Sequence, residues 1–287
     1  MYFIRRILFM VPLLLVISFL AFGLVRLAPG GPFDKERAPA SPEIQRALEA
    51  KYHLDEPVWK QYLRYLGDLL HGDLGLSLKY RNHTVNDIVA QGLPVSLTLG
   101  CLAYGLAIGL GVPLGFVTAV RRGGWADYGG SFVALLAVHW RLFPVALWET
   151  PAHAVLPMIA LGLYFAGRIA RLMREGMLGV LQDPFITTAR AKGVSETGIL
   201  LKHAFRLAVL PVVSYSGPLL ADLLTGSFVV ESIFQIPGIG VFMVNSVLNR
   251  DYTMMVGLVL LYAVLLLLLN LAVDFAYGLL DRRVRYE

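Results

Sequence analysis

Stretches of about 20 apolar residues recur along this chain, parted by charged segments, and that pattern restricts the fold more than any other feature of the sequence. About 20 residues is the length an α-helix needs to cross roughly 30 Å of hydrocarbon. Lipid offers the backbone no hydrogen-bond partners, so such stretches must satisfy their own amides as helices. Only 16% of the 287 residues are charged, against 57% hydrophobic, and the mean hydropathy is +0.65. A soluble domain usually carries about a quarter charged residues. The expected fold is all-α, a single polytopic helical bundle occupying 1–287.

The spans are predicted at Ile7–Leu27, Pro94–Val120, Gly129–Trp148, Ala154–Met173, Leu207–Val230 and Met254–Phe275. Arg5 and Arg6 before the first run also fit a cleaved signal peptide. The run is long for a signal core, no small-x-small cleavage site precedes Pro29, and the stretch reads as a retained helix. Residues 28–92 form a long polar segment with mixed charge. Within it, Pro42–Tyr52 and the amphipathic Val58–Leu70 are predicted as helices. In the second span, Gly105, Gly109, Gly111 and Gly115 provide two Gly-x-x-x-Gly spacings for close helix contact, and Pro113 is expected to bend it.

Basic clusters stand at the N-terminus, at Arg121-Arg122, across Arg168 to Arg206, and at Arg282, Arg283 and Arg285. The positive-inside rule assigns all four to the cytoplasm. An outward pass is then needed between Asp127 and Ala154, which makes six spans and puts both termini in the cytoplasm. The net charge of +5 is absorbed by this rule. With no basic stretch interleaved with aromatics, nucleic acid is not an expected partner, whereas the bilayer is. Cys101 is the single cysteine and the six histidines lack ligand spacing, so neither a disulfide nor a metal site is expected.

The segment from Asp183 through Ala189-Arg190-Ala191-Lys192-Gly193 to Ser195, and on to Lys202-His203-Ala204-Phe205-Arg206, reads as a short helix, a turn at Gly193 and a second helix entering the fifth span. Such an elbow, within 175–206, has a basic and partly apolar surface. On residue chemistry alone it could equally be a loop that only orients the protein.

This segment resembles the cytoplasmic coupling motif of the membrane subunits of binding-protein-dependent ABC importers. Ala189 and Gly193 hold the motif's alanine and glycine positions, while Thr187 and Thr188 replace its acidic residue and first alanine. Thr-Ala-Arg-Ala-Lys-Gly followed by Lys-His-Ala-Phe-Arg is similar to the oligopeptide and dipeptide permease branch. So are Leu27-Ala28-Pro29-Gly30, Gly72 to Ser77 with Pro94 to Leu99, and Val230 to Gly240 with Arg250-Asp251-Tyr252. The resemblance implies that Ala189, Arg190, Ala191, Lys192 and Gly193 couple to an ATPase subunit. It also implies a second homologous permease subunit, two ABC ATPase subunits and an extracytoplasmic peptide-binding protein. One departure stands out. After Ala137 about one helix's worth of residues is missing relative to the family pattern, and His139-Trp140-Arg141 sits where the third span should continue.

Asp222 lies within the fifth span, where a carboxylate is costly in hydrocarbon. It either lines the translocation pathway or packs between subunits. Glu231, Pro237, Gly238 and Gly240 are predicted to form a re-entrant elbow near an outer gate, with an ordinary surface turn as the alternative. No phosphate loop, zinc-protease motif, nucleophile elbow or dinucleotide fingerprint occurs, so catalysis on this chain and a bound cofactor are not expected. The expected function is half of a pathway for peptides. The alternatives are import of nickel, glutathione or another small solute by the same architecture, and an ion-coupled secondary transporter. The last would call for inverted repeats and several intramembrane ionisable groups.

Overall fold

The structure is a computed structural model that describes residues 2–27, 55–80, 83–120, 148–224 and 228–280. Its helices are α1 (Tyr2–Leu27), α2 (Val58–Leu70), α3 (Val85–Val120) and α4 (Val155–Leu181), the last entered through a 3₁₀ turn, Pro151–Ala154. The elbow follows as α5 (Pro184–Ala191), α6 (Glu196–Gly198), a π-helical stretch (Ile199–Ala204) and α7 (Phe205–Ala208). Then come α8 (Leu210–Leu224), α9 (Phe228–Ile233), α10 (Ile239–Asn249) and α11 (Tyr252–Leu280). Among the described residues there is no strand, only an isolated bridge between Leu76 and Thr84.

Among the described residues, five helical stretches are long and apolar enough to cross a membrane: Arg5–Leu27, Val85–Val120, Pro151–Leu181, Leu210–Ile233 and Tyr252–Ala276. The third expected span, Gly129–Trp148, lies outside the described residues except for Trp148, as do Pro42–Tyr52 and the basic clusters at 121–122 and 282–285.

Several boundaries move. The second span starts at Val85 rather than Pro94, because Thr84 and Asp87 cap it reciprocally: the Asp87 amide donates to Thr84 Oγ1 at 3.1 Å and the Thr84 amide to Asp87 Oδ2 at 2.9 Å. The fourth helix runs two turns past Met173, because Met177 is still fully buried against the core. The last begins at Tyr252, two residues before Met254, where Asp251 caps it by accepting from the Met254 amide at 3.1 Å.

α1 packs against α11 with opposite polarity. Arg6 pairs with Asp274 at one end, and Arg26 lies 5.5 Å over the Tyr252 ring at the other. Tyr62 of α2 packs against Phe19 and Phe22, and much of the rest of the α1 surface, including Leu8, Leu20 and Leu24, is bare and apolar, as suits a helix facing lipid.

Among the described residues α3 and α4 form the most extensive helix contact, and glycines permit it. A Cβ on Gly115 would stand 2.3 Å from the Ala170 carbonyl oxygen, and one on Gly111 would stand 2.7 Å from that of Ala166. On α4, a Cβ on Gly162 would stand 3.0 Å from the Ala103 carbonyl oxygen. Gly105 and Gly109 touch nothing, so only half of the expected small-residue spacing works within the subunit. Contact positions rise together along both helices, from Ala103 with Gly162 to Gly115 with Met173, so the two run parallel. The chain thus leaves α3 at one end of the pair and enters α4 at the other, as the outward pass expected between Asp127 and Ala154 requires.

Candidate functional site

Asp183 is extended, with ψ 144°, and Pro184 takes the first helical position of α5, where a missing amide hydrogen costs nothing. Ile186 and Ala189 turn inward and join the core formed by Met173, Met177, Ile199, Ala204 and Ala208. Ala189 therefore holds the elbow to its own bundle. Arg190, Ala191, Lys192 and Gly193 are on the outside, together with Phe185 and Leu201.

Gly193 closes the helix by a Schellman motif. Its amide donates to the Arg190 carbonyl at 2.9 Å, and the Val194 amide donates to the Ala189 carbonyl at 3.2 Å. The motif requires a left-handed residue, and Gly193 has φ +78°. Across the turn, Arg190 grips Glu196 with two bonds, Nε to Oε1 at 2.7 Å and Nη2 to Oε2 at 3.3 Å. That grip holds the Glu196 carboxyl below the usual carboxylate range. Ser195 caps the next helix by accepting from the Gly198 amide at 3.3 Å. The π-helical stretch that follows was not foreseen, and its composition carries no signal for it.

At the far end of the bundle, Glu231 is fully buried. Ser96 on α3 donates to its Oε1 at 2.8 Å, the Val241 amide donates to Oε2 at 3.2 Å, and the Gly240 amide also bonds to the carboxylate. The Ile239 amide donates to Ser96 Oγ at 2.9 Å. Together Glu231 and Ser96 satisfy the first three amides of α10, a task a helix start must otherwise leave to its own cap or to water. A Cβ on Gly238 would be 2.5 Å from the Glu231 carboxyl. Pro237 is exposed, whereas Gly238 and Gly240 are buried against the Glu231 carboxylate.

Sequence reasoning gave Asp251 no role, yet it is buried and takes four hydrogen bonds. Ser77 donates its hydroxyl, and the amides of Leu78, Lys79 and Met254 donate theirs, Leu78 and Met254 both at 3.1 Å. It fastens the 77–79 loop to the start of α11. The signal that could have found it is an acidic residue directly before a long apolar run. Asp222 is exposed on the outer face of α8, not in the packed core. Among the described residues no group of acidic, histidine or cysteine side chains could hold a metal ion.

Residues 111–286 match the family described as "Binding-protein-dependent transport system inner membrane component". The chain belongs to this family. The permease is 40% identical to the oligopeptide transport system permease protein OppB of Haemophilus influenzae, over 98% of each chain. It is 42% identical to the dipeptide transport system permease protein DppB of Bacillus subtilis, over 99% of this chain and 97% of that one. With OppB of Escherichia coli K12 the identity is 40%, over 99% of both. The alignment with the Haemophilus protein runs over 301 positions, more than the 287 residues present, so that relative carries residues this permease lacks. Family membership makes it an integral inner-membrane component of a transport system, with ABC transporter subunits as its partners.

Proposed function

We propose that this permease forms half of the translocation pathway of an ATP-driven peptide importer. A second, similar membrane subunit supplies the other half, two ATPases bind at the elbow, and an extracytoplasmic binding protein delivers the peptide. The observation that carries the reading is full-length identity near 40% to peptide permeases, joined to a basic elbow buttressed from within. The N-terminal end of α1, the elbow and the far end of α11 share one side of the bundle, and its basic residues favour the cytoplasm.

In this reading Arg190, Ala191, Lys192 and Gly193 meet the ATPase and Ala189 anchors them. Asp222 lines the pathway, and Glu231, Pro237, Gly238 and Gly240 form the outer gate elbow. Closure of the ATPases would drive paired elbows together and exchange which side the cavity opens to, a shift between two states that differ in ATPase contact.

The test is gentle detergent extraction of a tagged copy from its native host and identification of the proteins retained. Two ATPases and a second permease should be recovered, and Gly193→Val or Arg190→Glu should lose the ATPases while keeping the permease partner. Recovery of the chain alone, still active in solute uptake, would reject the importer reading.

A further inference from the structure

Five polar or aromatic side chains stand on α4, α8 and α11, with α8 packed against both of the others. The Arg168 guanidinium carbon lies 4.7 Å from the centre of the Tyr215 ring, well within cation–π range. One turn away on α4, Tyr164 is 75% exposed and stands edge-on to Phe165. Asp222 is exposed on α8, seven residues beyond Tyr215, which puts it two turns or about 10 Å along the axis. The Tyr215 hydroxyl lies within electrostatic reach of Arg168, Asp222 and Tyr164, and that of Tyr262 within reach of Asp222.

The patch runs from the elbow edge of the spans toward their middle. Ser214, beside Tyr215, lines a groove of about 420 Å³ shared with Arg6, Asn270 and Asp274, so Arg168 sits near the level of the Arg6–Asp274 pair. Asp222 is about 12 Å further into the span. Ionisable side chains at such depth face protein or an aqueous cavity, and the lipid-facing surface of α1 shows the contrast with its uninterrupted apolar residues. The two charges are opposite in sign, and the rise from Tyr215 to Asp222, about 10 Å, is close to the length of three extended residues.

We propose that this face is a charge-separated subsite for the ends of a short zwitterionic peptide. Asp222 receives the α-amino group, and Arg168, placed over the Tyr215 ring, receives the α-carboxylate, so the peptide lies with its carboxyl end toward the elbow. The tyrosines border the peptide with aromatic surface and hydroxyls. The inference rests on the peptide-importer reading and deepens it.

The experiment uses the complete importer in proteoliposomes and one tripeptide offered free, N-acetylated or C-amidated. Each variant is read as the ratio of free to blocked uptake, so any preference of the binding protein cancels against the wild type. Asp222→Asn should lower the free-to-acetylated ratio about tenfold, the worth of one charge-assisted contact, and leave the free-to-amidated ratio unchanged. Arg168→Gln should do the converse, and Asp222→Glu should restore the wild-type ratio. Ratios equal to the wild type in both variants would overturn the subsite, whether the total rate holds or falls evenly, and would put these residues in subunit packing. If the wild type moves none of the three forms while another solute stimulates its ATPases, the importer reading for peptides fails as well.

Discussion

Gly193 and Gly238 are both fixed as glycine, but for opposite reasons. Gly193 has open space around it and a φ of +78°, so a side chain there suffers in the backbone and not in packing. Gly193→Val should cost about 1–3 kcal/mol locally. With the ATPases no longer held, it should abolish peptide-stimulated ATP hydrolysis with little change in the amount of subunit extracted, while Gly193→Asn should keep most of the activity. Gly238 has an ordinary φ of −96° but no room beside the Glu231 carboxylate. Gly238→Ala should therefore lower the thermal midpoint of the purified permease, and Glu231→Ala should lower it too, by stranding amides worth about 1–3 kcal/mol each. The Arg190–Glu196 grip adds a pH dependence. Arg190 pulls the folded-state pKa of Glu196 below its ordinary 4.5, so the stabilisation is complete above that value and fades as pH falls through the lower one. Amide exchange at Gly193 and Val194 should quicken over that acid range in the wild type and show no such step in Glu196→Gln.

At the scale of the helix, the sequence offered two Gly-x-x-x-Gly spacings on α3 and no means of choosing between them. Contact geometry makes the choice, through the carbonyls of Ala166 and Ala170 on the neighbouring helix. Gly115→Ala should destabilise the purified subunit by about 1–3 kcal/mol, since backbone must move to admit a methyl group. Gly109→Ala should stay within about 0.5 kcal/mol, and paired thermal melts of the two variants test the difference. Helix ends divide in the same way. Gly193 announced its Schellman turn in the sequence. Two further turns of the same kind end α9 and α10 with Gln235 at φ 53° and Arg250 at φ 57°, and neither residue type announces a left-handed conformation. The start of α3 was legible in principle from Thr84 and Asp87, but Pro94 outweighed them; a proline's broken hydrogen bond matters less inside a packed span than at a surface.

Across the whole molecule, the all-α class and the helical stretches were legible because apolar length alone dictates them in a membrane. The elbow was legible from one glycine between two helical patterns. The partners of Glu231 and Asp251 were not, since Ser96 and Ser77 lie 135 and 174 residues away along the chain and nothing local points to them. The parallel packing of α3 on α4 has a consequence for how the protein is made. Neighbouring spans that enter the bilayer as a hairpin can pair at once, head beside tail. These two cannot, because their shared direction means that each has already been threaded separately before they meet. The notch at Gly111 and Gly115 cannot receive Ile169 and Met173 until the ribosome has delivered them, so the α3–α4 contact is a late lateral event in biogenesis and not an early one.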